Sequence, residues 1–345
     1  MATVLIPEPS ESIKRVLDIL REDFVAHGHE PFKHFFCPIL HEDVHTELCE
    51  GHLIPKDFGN AWVPQRKDID GFYGSRAEAA FIACIQDRGI DTATLLTDKD
   101  KHKKHDPKIV FDGNVIEHYF PKDFSKIPAD HAQARFVGGD GEILRDVAFK
   151  LTPEQLDAME TLAGEGKGLE VVIDKDYLPA MTAALLKAAH LTMFAMFRYE
   201  WVFSVSGRDL AAILRKFYLE NCSKPKAEVD GPLKEYFSQH LQMVKPFYAA
   251  DSSLLAGTIN DNRIITFVNG NNRPYLMGIV VKVGGDTFVV FVPASDDTIN
   301  TYFDFLKCPP ASVAMHIVEL KDGAWQGIAA RRMSFESNTF TSMAS

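Results

Sequence analysis

A chain of 345 residues, 46% of them apolar, can build a sizeable core and two domains without a disulfide scaffold. Its formal net charge of −11 argues against a protein that coats nucleic acid non-specifically, because such binding comes from lysines and arginines neutralising phosphates; a local basic site stays open. Five cysteines, scattered at 37, 49, 84, 222 and 308, do not make an oxidised framework, and no secretory leader precedes Pro7, so a reducing, cytoplasmic setting is expected.

Apolar residues at 13, 16, 17, 20 and 24 predict a first helix, with Ser10 or Ser12 as its cap. A stretch rich in cysteine and histidine follows, from Phe35 to Gly59, and reads as a knuckle or hairpin that presents His52 at the end of a short strand. Ser75, with Glu78 three residues on, predicts a capping box and a helix start. Asp112-Gly113 between β-branched flanks predicts a hairpin, and a domain boundary is placed between Pro121 and Pro128. Thr152-Pro153-Glu154-Gln155 opens a further helix; Gly164, Gly166 and Gly168 then read as a flexible turn into the strand Leu169–Ile173, because no phosphate-loop pattern is matched.

The apolar run from Tyr177 to Phe203 is interrupted by Lys187, His190, Arg198 and Glu200, which makes a buried helix the expected state and a membrane partner unexpected. Another helix is expected from Arg208 to Glu220. Short β-branched runs then begin at Ile264, Leu276, Thr287 and Ser312, with glycine-rich and asparagine-rich breaks between the earlier ones, and predict an antiparallel sheet. The expected class is α+β.

The chemistry concentrates near the N-terminus. Cys37 and Cys49, with His41, His45 and His52 nearby, offer the thiolate and imidazole ligands that zinc prefers, although Leu40 stands where a tight knuckle would place its second cysteine. Reduced, buried cysteines with solvent-facing histidines are the plainer alternative. A neutral His52 held at a strand end can deprotonate water near neutral pH. Asn60, Asp68, Asp70 and Glu78 supply oxygen ligands suited to Mg2+ or Mn2+, and such an ion polarises a phosphodiester. His190, within an apolar helix, reads as a hydrogen-bonded core residue.

Cys37-Pro38-Ile39, followed by Leu48-Cys49-Glu50-Gly51-His52-Leu53-Ile54-Pro55-Lys56, resembles the start of an HNH nuclease of the treble-clef or ββα-metal class, as found in poorly characterised bacterial proteins. The resemblance implies a metal-dependent nucleic-acid hydrolase with His52 as general base and Asn60 positioning the base or the water. The family's metal ligands are an acidic residue or histidine immediately before that histidine and a histidine or asparagine on the following helix; here Asp68, Asp70 and Glu78 are the candidates for a divalent metal, and Cys37 and Cys49 for a structural Zn2+, on their own chemistry. The sequence departs from that pattern at Gly51, where the family has an acidic residue or histidine, at Leu40, and on the following helix, which has no histidine. The expected organisation is a treble-clef-like module with flanking helix and hairpin over 1–125, then helices and an antiparallel sheet over 126–345. Three readings stay open: a nuclease acting on nucleic acid; a catalytically inactive binding or assembly module, with a protein partner or a second copy; and a thiol nucleophile at Cys37 or Cys49.

Overall fold

The computed structural model describes residues 6–87, 178–247, 274–283 and 286–308, with the further strands named below and a few single positions elsewhere. It divides into two compact units, residues 1–86 with 177–345, and residues 87–176. Position 125, where the sequence places a boundary, falls inside the second unit.

The first unit begins with α1, Glu11–Ala26, whose stripe of Ile13, Leu17, Leu20 and Phe24 is buried. Of the two serines, Ser10 is the cap, its Oγ accepting from the Ile13 N–H, whereas Ser12 reaches across to Glu50. The antiparallel strands β1, Leu48–His52, and β2, Trp62–Arg66, form a two-stranded ribbon. The chain then turns directly into a helical run: α2, Lys67–Tyr73, a π-helical turn at Gly74–Glu78, and α3, Ala79–Asp87. Helix formation therefore starts eight residues before the expected cap at Ser75, whose hydroxyl instead donates to the Phe72 carbonyl inside the helix. The earlier start follows from burial of Ile69, Phe72 and Tyr73, and from Asp68 in the first turn, where a carboxylate suits the helix dipole.

In the second unit, β3, Lys108–Phe111, pairs antiparallel with β4, Asn114–Ile116, so that Phe111 faces Asn114 and two residues connect them, as the Asp-Gly signal predicts. β5, His118–Tyr119, and β6, His131–Val137, flank β7, Ile143–Lys150, while β8, Glu170–Val172, pairs with β3. The expected helix from Thr152 lies largely outside the described residues.

The first unit resumes with α4, Leu178–Phe203, which supplies the centre of the core; Ala183, Leu185, Leu186, Ala189 and Leu191 are fully enclosed. Among the described residues this is the one helix long and apolar enough to cross a membrane, and 83% of its most apolar window is buried inside the protein. Arg198 breaks it with a left-handed φ of 52°, and Asp23 caps the restart by accepting from the Tyr199 N–H at 2.9 Å. α5, Val205–Asn221, is capped by Ser204, and α6, Lys226–Ser238, follows.

A seven-stranded antiparallel sheet closes the unit. In spatial order it runs β15 (Thr339–Ser342), β14 (Ala324–Ser334), β13 (Ser312–Lys321), β10 (Arg263–Val268), β11 (Pro274–Val283), β12 (Asp286–Pro293) and β9 (Val244–Phe247). The four predicted strands are β10 to β13, and α4 packs against β11 and β12. The short α7, Ile299–Lys307, covers β12 through Tyr302 and Phe305, the Tyr302 hydroxyl donating to the Phe291 carbonyl. A mixed α+β architecture, with an N-terminal ribbon and helix, central helices and a C-terminal antiparallel sheet, is the fold of the chain.

Candidate functional site

Side chains alternate across the β1–β2 ribbon, and directly opposed residues share a face. Cys49 and Gly51 therefore lie on one face with Gln65 and Val63, and Leu48, Glu50 and His52 lie on the other with Arg66, Pro64 and Trp62. His52 is half-buried, Asn60 is exposed, and neither side chain has a hydrogen-bond partner among the described residues.

Each of the three expected carboxylate ligands already has a cation. Asp68 accepts from the Arg66 guanidinium at 2.7 and 3.1 Å and from the Tyr218 hydroxyl at 2.8 Å. Burial pushes its pKa up, but the Arg66 and Tyr218 hydrogen bonds win and hold it below the usual aspartate value. Asp70 and Glu78 share Lys187, whose Nζ donates to Asp70 Oδ1 at 2.9 Å and to Glu78 Oε1 at 2.6 Å.

Lys187 reaches this place from the middle of α4 with its side chain wholly enclosed. Burial disfavours its charge, yet Glu78 and then Asp70 more than compensate, so its pKa lies above the ordinary lysine value. The π turn makes this double contact geometrically simple. Residues eight apart in an uninterrupted α-helix diverge by about 80°, but a π turn absorbs one extra residue and brings Asp70 and Glu78 to within about 20° of each other.

Cys49 lies beside the same cluster. Burial, followed by the charge of Asp70, pushes its pKa up to about 12. A thiol pushed up in this way carries little thiolate at neutral pH.

Gln65 occupies the rest of that ribbon face. It is buried at 3% exposure, and both its amide oxygen and its amide nitrogen lack a partner among the described residues. A Cβ added at Gly51 would overlap the Gln65 amide, so any side chain before His52 requires Gln65 to move. The departure from the nuclease pattern at Gly51 and the inward amide at Gln65 are two halves of one packing solution.

Residues 37–42 form a hydrogen-bonded turn. The Cys37 N–H donates to the Glu42 carbonyl at 3.0 Å, the His41 N–H to the Cys37 carbonyl at 2.9 Å, and the Leu40 N–H points at Cys37 Sγ at 3.4 Å. His41 takes the left-handed conformation that closes the turn, with φ 54°. Leu40 itself is core, 1% exposed. Burial raises the Cys37 pKa to about 11.

The loop is fastened to α4: Tyr199 donates its hydroxyl to the Phe36 carbonyl at 2.7 Å, and His190 Nε2 lies 2.9 Å from the Pro38 carbonyl. Trp201 Nε1 donates to His190 Nδ1 at 3.1 Å, which assigns the ring proton to Nε2 and makes His190 a neutral core residue, as its apolar surroundings predict. Burial lowers the His190 pKa to about 4.

Among the described residues there is no group of three His, Cys, Asp or Glu side chains that could hold a metal ion. Sequence reasoning missed Lys187 and Gln65 as members of the cluster. A signal for the first was present, since a lysine inside a continuous apolar helix must find countercharge if it is buried. No family model, no curated protein and no solved structure matches this chain.

Proposed function

We propose that the knuckle, ribbon and following helix form a treble-clef-like module that binds or assembles rather than hydrolyses. The observation that carries this reading is Lys187, whose ammonium sits between Asp70 and Glu78 where a divalent cation would have to bridge them. A fully enclosed lysine supplies the balancing charge without a metal's open coordination position, so it offers no metal-bound water for hydrolysis. The Gln65 amide over Gly51 supports the same reading, because it fills the position from which the family's second ligand would project.

The second reading is a metal-dependent nuclease with His52 as general base and Asn60 beside it. It is favoured by one observation: His52 stands at a strand end with both ring nitrogens unengaged among the described residues. One experiment separates the two. Double-stranded DNA, single-stranded DNA and RNA are incubated with wild type and His52→Ala in Mg2+, Mn2+ or chelator. The binding module predicts no cutting in any condition and an unfolding curve that chelator does not shift. Metal-dependent cutting lost in His52→Ala would overturn it.

A further inference from the structure

A groove of about 460 Å3 runs between the knuckle and α5, on a different part of the first unit from the Lys187 cluster. Ile39 and His41 form one wall, and the exposed face of α5 forms the other. Ala211, Ala212 and Leu219 make an apolar floor, Leu219 being one of the few large apolar side chains more than half exposed.

Arg208 and Arg215 stand seven residues apart, two helical turns, and so project from the same side of α5 into the groove. Neither has a carboxylate or hydrogen-bond partner among the described residues, whereas Arg21 and Arg66 are ion-paired. In a chain of net charge −11, two unneutralised guanidiniums on one concave surface are a local reversal of sign. Lys216 lines the groove with its ammonium turned over the Tyr236 ring at 5.6 Å, and Glu220 is the acid at the rim.

The His41 ring lines the same wall, with its Nε2 enclosed beneath the surface. Burial, then the charge of Arg215, lower the His41 pKa against a backbone hydrogen bond to Pro38 that raises it, and Arg208 adds to the lowering, so both guanidiniums are near enough to act on the ring.

We propose that this groove binds a phosphate monoester with a compact apolar body, the phosphate held by Arg208 and Arg215 and the body resting on Ile39, Ala212 and Leu219. Guanidinium forks match phosphate oxygens in pairs, which is why the charge points to phosphate, and the apolar floor is why it points to an ester and not the bare anion. The inference goes beyond the binding-module reading, and the groove would stand even if the chain cut nucleic acid.

The test is calorimetric titration of the full chain with phenyl phosphate, alongside inorganic phosphate and phenol as its two halves. Phenyl phosphate is expected to bind best and phenol not measurably. Arg208→Ala and Arg215→Ala are each expected to weaken binding about tenfold or more, the loss of one charge-assisted contact. Arg15→Ala, exposed on α1 and outside the groove, should change nothing. Because Arg208 and Arg215 are exposed, circular dichroism is expected to show both variants folded. Absence of phenyl phosphate binding by folded wild type, or equal binding by the double variant, would overturn the site. The cleavage assay with His52→Ala reads hydrolysis separately and is blind to this result.

Discussion

Replacing Lys187 with methionine removes the cation and keeps most of the side-chain volume, leaving Asp70 and Glu78 facing each other in a low-dielectric pocket. Removing one partner of a buried ion pair costs about 3–5 kcal/mol. The carboxylates here retain some solvent, 31% for the Asp70 side chain and 14% for Glu78, against 0% for Lys187, so the lower end, about 3 kcal/mol, is expected. At roughly 2–4 °C per kcal/mol for a unit of this size, that is a fall in Tm of about 6–12 °C.

Urea denaturation followed by tryptophan fluorescence and circular dichroism reads the loss directly. The triple variant Lys187→Met/Asp70→Asn/Glu78→Gln removes all three charges at nearly constant shape and is expected to recover most of it, since a neutral cluster no longer needs a countercharge. A single variant within about 0.5 kcal/mol of wild type, or a triple variant no better than the single, would refute the idea that Lys187 is held as the cation of this site.

Gly51→Ala is expected to lose about 1–3 kcal/mol, because the new methyl group overlaps the Gln65 amide, and Gln65→Ala in the same chain should return part of that loss; both are read by chemical denaturation. His190 sets a pH dependence. Its folded pKa of about 4 lies below the unfolded value of 6.5, so the unfolded chain binds the extra proton between these limits. The stability contribution is therefore full above pH 6.5 and lost as pH falls to about 4, a change of roughly 3 kcal/mol at 1.36 kcal/mol per pH unit. Burial lowers the pKa of His41 and His240 in the same direction, so the slope steepens further. Urea midpoints at pH 7, 5.5 and 4.5 measure it, and His190→Gln is expected to flatten the curve.

Elements with a strong local period are legible in the order of their residues alone. The stripe at Ile13, Leu17, Leu20 and Phe24, the apolar run of α4 and the β-branched runs of β10 to β13 carry their geometry in the spacing of their side chains, because burial of one face is decided by 3.6- and 2-residue periods. Ser75 misleads for the converse reason. A capping box is a local signal, and it yields to the burial of Ile69, Phe72 and Tyr73 upstream, which carries the helix through it.

What the sequence determined by itself was the α+β class, the position of the main elements, and the concentration of reactive side chains between Cys37 and Glu78. The tertiary structure alone decided what those side chains do. Lys187 meets Asp70 and Glu78 across more than a hundred residues of chain, Gln65 covers Gly51 through strand register, and Arg208 joins His41 across a groove. Each pairing depends on which faces two distant elements turn towards one another, and no local periodicity encodes that choice. It is set by the packing that buries the most apolar surface while leaving each buried charge with a partner.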